Sequence, residues 1–239
     1  ENVVDHPEAD VAICKSWNRW LADIWSKGEG RLPWSCVLPL HSMKDAVDEI
    51  GFSRENGAVA VCMRPVEGER TLTDPYFFPI YEEASRLNMS MAIHIANGNS
   101  RMVDLFRTPY GGGSLGVFKG MTAIACHAYM TSKLPSRFPD LRWGFIEASS
   151  QWVPWVATEA IRNTKAEDTI SMFKDTRTYV TCQSGDDVEY VLKFIGEDNL
   201  LIGTDYGHTD TASELDAITQ LNMRTDISAE VKHKIIDEN

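Results

Sequence analysis

The sequence has no unbroken apolar stretch near the ~20 residues that a membrane-spanning helix needs, and no charged-then-apolar leader opens it. It has no run of Lys or Arg. Its 23 basic residues stand against 35 acidic ones, for a net charge of −12, which argues against a nucleic acid or an anionic membrane as partner. It has no CxxC pair either. The five cysteines (Cys14, Cys36, Cys62, Cys126 and Cys182) are scattered and odd in number, so neither a disulfide framework nor a structural zinc knot is expected. Three of them, Cys36, Cys62 and Cys182, lie in apolar runs and read as reduced, buried thiols, with the cytoplasm as the expected compartment. There is no phosphate-cradling loop: the triple glycine Gly111-Gly112-Gly113 is not followed by Lys-Ser/Thr, and with Tyr110 it reads instead as a candidate lid.

What the sequence does have is an ordinary globular balance, 43% hydrophobic and 24% charged, over 239 residues, enough for one large core. Two kinds of apolar run alternate. The short ones are β-rich: SCVLPL (35–40), AVAVCM (58–63), MAIHIA (91–96), RWGFIE (142–147), TYVTCQ (178–183) and LLIGTD (200–205). Each is nearly continuous rather than alternating, as strands covered on both faces of a parallel sheet are. Longer amphipathic stretches start at 43, 74, 116, 153, 186 and 211. Asp74 before Pro75 is a strong helix start, and Asp186 is a candidate for another. Six β-then-α units without a long linker make one α/β domain over residues 1–239.

In an α/β sheet or barrel, chemistry collects beyond the carboxyl ends of the strands. Those ends carry His41; Arg64; His94, Asn97 and Asn99; Glu147, Ser149 and Gln151; Gln183 and Ser184; then Asp205 and His208. Each has a plainer reading. His94 in an apolar run is a core histidine if nothing meets it, and Asp205 after Gly-Thr is a turn aspartate. Glu147 ends a buried run, where an unpaired carboxylate costs several kcal/mol, so a metal or a guanidinium is expected beside it. Arg64 suits a substrate carboxylate as a bidentate clamp, or a structural ion pair at the rim. Trp152 reads either as the floor of an aromatic pocket or as packing, while His127, mid-helix, reads as packing.

Several segments resemble the amidohydrolase superfamily, in its amidohydrolase-related branch of aminocarboxymuconate-semialdehyde and resorcylate-type decarboxylases. They are CVLPLHSMKDAVDEI, DPYFFPIYEEASRLNMSMAIHIA, SRFPDLRWGFIEA, NLLIGTDYGH and SAEVKHKIIDEN, in order and spacing over residues 32–239. The resemblance implies a (β/α)₈ TIM barrel with a divalent metal at the carboxyl ends of its strands. It implies His94, Asp205 and Glu147 as metal ligands, with Zn²⁺ as first choice and Mn²⁺ as second. Asp205, Glu147 and His208 would be the catalytic groups, and Arg64, Asn97 and Trp152 would meet the substrate. Two departures stand out. The family's first-strand Asp/Glu-x-His pair has no counterpart, residues 1–30 reading as its second helix, so the barrel is expected to lack its first strand, first helix and second strand and to stop inside its last helix. And Glu147 stands where the branch places a histidine. The function implied is decarboxylation of a small, aromatic or unsaturated carboxylic acid, with metal-dependent hydrolysis as the alternative and a non-catalytic barrel behind it. Pairing as a homodimer is a further expectation from the resemblance.

Overall fold

The short apolar runs become parallel strands, and the amphipathic stretches become helices laid against them. The computed structural model describes residues 6–107, 113–208 and 213–239. Its strands are β1 (Trp34–Cys36), β2 (Ala58–Met63), the two-residue pair β3 (Val66–Glu67) and β4 (Arg70–Thr71), β5 (Ser90–His94), β6 (Trp143–Ile146), β7 (Thr178–Cys182) and β8 (Leu200–Ile202). The helices are α1 (Pro7–Lys27), α2 (Met43–Glu55), α3 (Phe78–Arg86), α4 (Ser100–Phe106), α5 (Ser114–Val117) and α6 (Lys119–Thr131), followed by α7 (Leu134–Arg137), α8 (Val153–Ile161), α9 (Thr169–Asp175), α10 (Val188–Ile195), α11 (Ala217–Met223) and α12 (Ala229–His233).

Among the described residues one sheet holds six strands in the order β1-β2-β5-β6-β7-β8, every pairing parallel. Each of its strands leads to helix, β2 by way of the β3–β4 hairpin, the arrangement of a partial (β/α)₈ barrel. β3 and β4 form a separate antiparallel hairpin. The six expected strands are all present; β2 fills its run of 58–63 and the other five are shorter than theirs. β1, for example, stops at Cys36 because Pro39 follows within the run and cannot donate to a ladder.

The helices start where local chemistry dictates. Asp74 accepts from the Tyr76 N–H at 2.8 Å, opening a 3₁₀ turn that runs into α3. Asn99, Asp168 and Ser228 cap α4, α9 and α12 in the same way. α10 differs from expectation. Its cap is Asp187, which accepts from the Tyr190 N–H at 3.1 Å, whereas Asp186 turns inward. The stretch from 116 is broken at Phe118 (φ −109°, ψ −80°), separating α5 from α6.

The core lies between the sheet and the helices. Trp143 of β6 is fully buried, stacked on Tyr129 of α6 (centroids 4.4 Å) and met edge-on by Tyr81 of α3 (5.0 Å). Such ring pairs add about 0.5–1.5 kcal/mol each beyond area burial. Asn18 of α1, fully buried, ties that helix to the sheet: it donates to the Val37 carbonyl at 2.8 Å and accepts from the Val37 N–H at 3.0 Å. All five cysteines are free. Burial pushes Cys14, Cys36 and Cys182 up to about 12 and Cys62 up to about 11, and Cys126 well up too, so none is poised as a nucleophile. Among the described residues no helix is long and apolar enough to cross a membrane.

Candidate active site

The strand register brings distant residues together. His94 pairs with Ile146 across β5 and β6, so His94 and Glu147 leave adjacent strands side by side. The Ile95 N–H continues the ladder to the Ile146 carbonyl at 3.2 Å. His94 Nε2 then meets Glu147 Oε2, and His94 Nδ1 lies 3.0 Å from the Ile95 carbonyl, which fixes the ring at both nitrogens. Beyond β8, Asp205 reaches the same place. His208 Nδ1 is 3.1 Å from Asp205 Oδ2 and 3.9 Å from Glu147 Oε1.

Both carboxylates are largely buried, with 17% of the Glu147 side chain and 16% of the Asp205 side chain exposed, while the His208 side chain is 58% exposed and opens toward solvent. The hydrogen bond to Glu147 raises the His94 pKa. Burial opposes that rise, and the charge of Glu147, the Ile95 carbonyl and the charge of Asp205 reinforce it. The backbone is also unusual here. Glu147 (φ 67°), Ser149 (φ 60°) and Asp205 (φ 48°) are left-handed without being glycine. Each such residue costs on the order of 1–3 kcal/mol and persists only where its surroundings hold it.

One ligand atom from each of Glu147, Asp205 and His208 lies within 4.8 Å of the other two. Donors about 2.0–2.2 Å from a shared ion stand at most about 4.4 Å apart, so the His208 pairs at 3.1 and 3.9 Å already fit one, and two carboxylates with an imidazole suit a divalent cation. The expected ligand set was His94, Asp205 and Glu147. In space His208 joins the two carboxylates, and His94 stands against the other oxygen of Glu147.

The expected substrate residues are placed differently. Arg64 is gripped by Glu67: its N–H donates to Oε1 at 2.8 Å, and Nε and an Nη donate to Oε2 at 2.9 and 2.5 Å. Glu67 sits on the β3–β4 hairpin, and the sequence reading missed it. The signal was there in Gly68-Glu69 between two short extended pieces, a two-residue loop with glycine first. That hairpin packs on Gly98. A Cβ on Gly98 would fall 2.5 Å from the Val66 carbonyl and 3.0 Å from the Arg64 guanidinium, so only glycine fits. Arg64 and Asn97 line a hollow of about 180 Å³ with Asp104 and Arg107. Asn97 spends its amide on the loop, donating to the Val117 carbonyl at 3.3 Å and accepting from the Asn99 N–H at 2.9 Å. Trp152 packs edge-on against Phe145 (centroids 6.5 Å), its Nε1 buried without a hydrogen-bond partner.

His41 is an exposed turn residue. His127 sits on α6, away from the carboxyl ends. Tyr110, Gly111 and Gly112 lie outside the described residues. A larger surface hollow, about 500 Å³ on α1 beside Trp17 and Trp20, is lined by no titratable group.

Next to this cluster lies a second one. Asp186, 6% exposed, accepts from Ser149 Oγ (2.7 Å), the Ser150 N–H (2.7 Å), Ser150 Oγ (2.8 Å) and the Gln183 N–H (3.0 Å). It knits the loop after β6 to the loop after β7.

Comparison with known proteins identifies the family and the fold. The amidohydrolase family model matches residues 1–239. No curated protein matches the chain. An amidohydrolase from Mycobacterium avium subsp. paratuberculosis K-10 superposes with a TM-score of 0.77 at 20% identity, over 96% of this chain and 62% of that one. This chain thus spans less than two thirds of that relative's length. A 2,6-dihydroxybenzoate decarboxylase from Rhizobium superposes at 0.72 with 21% identity, over 96% of this chain and 76% of its own. A dihydroxybenzoic acid decarboxylase from Polaromonas sp. JS666, with bound manganese and the inhibitor 2-nitroresorcinol, gives 0.73 at 20% identity, over 94% and 72%. At these identities the likeness is one of fold.

Proposed function

The chain belongs to the amidohydrolase family, and on that premise we propose that it is a metal-dependent decarboxylase, a carbon–carbon lyase acting on a small aromatic or unsaturated carboxylic acid. The observation that carries this reading is the convergence of Glu147, Asp205 and His208 within 4.8 Å, with His94 against Glu147. Glu147, Asp205 and His208 are the residues that would hold a divalent ion, with His94 Nε2 the next donor available. Two hard carboxylates favour Mn²⁺ over the Zn²⁺ first expected, and the manganese named for the Polaromonas relative supports that order. When bound, the ion supplies a positive centre for the substrate carboxylate and for the charge that develops as CO₂ departs.

The protein's own groups manage the proton. Asp205, largely buried and hydrogen-bonded to His208, is the group placed to pass a proton to the substrate carbon. As the carbon–carboxylate bond breaks, its electron pair stays on that carbon and takes the proton from Asp205, giving CO₂ and a new C–H bond. His208 beside it is more than half exposed, so solvent reaches this edge of the site and returns a proton to Asp205. Glu147 and His94, engaged with each other, stay out of the transfer and keep the floor of the site charged and ordered.

A second reading, metal-dependent hydrolysis with Asp205 as general base, is favoured by one observation: the Arg64 fork is already engaged by Glu67, which weakens the case for a dedicated carboxylate clamp. Metal analysis, followed by a panel of hydroxylated aromatic acids and of amides or lactones, separates the readings. Decarboxylation predicts stoichiometric metal and CO₂ release that chelation abolishes. Ring or amide cleavage without CO₂ would replace it with hydrolysis, and a protein that takes up no divalent metal would falsify both.

A further inference from the structure

Thr181 takes no part in the chemistry above, yet it touches the residue on which the site turns. It lies on β7, paired with Leu201 of β8, so its side chain is anchored to an inner strand. The β6–β7 ladder pairs Trp143, Gly144 and Phe145 with Thr178, Tyr179 and Val180 and goes no further. Two residues on, Glu147 has turned to φ 67°. Its N–H donates to Thr181 Oγ1 at 2.9 Å, a side-chain oxygen where the ladder would use a backbone one. A non-glycine residue at this φ relaxes to negative values unless something holds it, and that relaxation swings its Cβ, and the carboxylate beyond, to a different heading.

We propose that Thr181 is a positioning residue for the metal-binding carboxylate: its hydroxyl locks the Glu147 backbone in the left-handed conformation that aims the side chain at His94 and toward Asp205 and His208. The inference rests on the metal-dependent reading and extends it to a residue that contacts neither ion nor substrate. It also accounts for a feature of the sequence. β7 holds two threonines, Thr178 and Thr181, and Thr181 is the one whose hydroxyl meets the backbone at the exit of the neighbouring strand. A purely structural role would make the hydroxyl no more than a partner for an amide, and replacing it would then leave the aim of Glu147 unchanged.

The test uses Thr181→Val, which keeps the shape and removes the acceptor, and Thr181→Ser, which restores it. Two quantities are read on the full chain: the dissociation constant for Mn²⁺ by calorimetry, and amide hydrogen exchange of Glu147 in metal-free protein by NMR. Thr181→Val is expected to weaken Mn²⁺ binding about 10- to 100-fold, the range for partners that orient ligands, and to lose protection of the Glu147 amide. Thr181→Ser is expected to recover both. A folded Thr181→Val protein that binds Mn²⁺ as tightly as the parent, or that keeps the Glu147 amide protected, overturns the proposal. Should valine prevent folding, Thr181→Ala removes the same acceptor and is judged on the same two readings. If the parent itself takes up no Mn²⁺, the metal reading fails on its own, and the exchange measurement still decides whether Thr181 holds Glu147.

Discussion

Two carboxylates that follow the neighbouring strands β6 and β7 are treated in opposite ways. Asp186, after β7, is buried and receives four hydrogen bonds, two of them from backbone N–H groups. Glu147, after β6, is nearly as buried, yet among the described residues its carboxylate meets only the imidazoles of His94 and His208. Asp205 is similar: among the described residues its carboxylate meets the His208 imidazole. A carboxylate whose lone pairs are filled by fixed donors is finished: it can hold a loop but can take nothing more. A carboxylate met only by titratable rings keeps capacity for a cation or a proton. The lesson is that burial alone does not separate a structural acid from a working one. The identity of its hydrogen-bond donors does.

The comparison can be broken most directly at Asp205. Asp205→Asn is expected to lower kcat/KM by about 10³-fold, equivalent to about 4 kcal/mol, while urea denaturation changes by less than ~1 kcal/mol. A large stability loss would place Asp205 with Asp186 instead. The reverse holds for Asp186→Ala, which strands two serine hydroxyls and two N–H groups in a buried place and is expected to cost about 3 kcal/mol of stability. An unchanged denaturation midpoint would show that water replaces the carboxylate. Glu67→Gln probes an intermediate case, a buried acid that accepts two hydrogen bonds from the Arg64 guanidinium and a third from the Arg64 backbone N–H. Arg64 is partly exposed, so the expected cost is only about 1–2 kcal/mol. If substrate carboxylate does bind Arg64, KM should move in this variant and kcat should not.

The smallest effect is a pH dependence. The His94 pKa is raised above the ordinary 6.5 chiefly by its hydrogen bond to Glu147. A group whose pKa is higher in the folded state stabilises that state fully below its unfolded value and loses the contribution as pH climbs through the folded one. In metal-free protein, the stability difference between the parent and His94→Gln should therefore be largest below the ordinary histidine value of 6.5 and shrink as the pH climbs above it. A difference that grows with pH would mean that the ring is neutral against Glu147.

Much of this was legible in the sequence, for identifiable reasons. The six strands follow from nearly continuous apolar runs, a pattern that burial on both faces leaves little freedom to disguise. Glu147 and Asp205 could be placed together because they end such runs, and His94 because it is the one titratable residue near the carboxyl end of its own. Asp186 and Asp187 could not be told apart: both precede the same helix, and only tertiary packing decides which one caps it and which turns inward. α4 and α9, seven residues each, are too short for a periodicity to register. The Arg64–Glu67 grip was hidden because it runs across a hairpin whose strands are two residues long. The joining of His208 to the two carboxylates depends on the turn after Asp205, where a left-handed residue reverses the chain.

Gly98 carries a consequence of another kind. It touches no proposed substrate atom and donates no side chain, yet every codon change that alters it adds a Cβ where the Val66 carbonyl and the Arg64 guanidinium already stand. A saturation screen for function would rank it beside the acids of the site, and lineages that keep the hairpin would keep the glycine. Such intolerance reads as catalytic importance when it is seen only as a list of forbidden letters. Here it is the footprint of one loop resting on another.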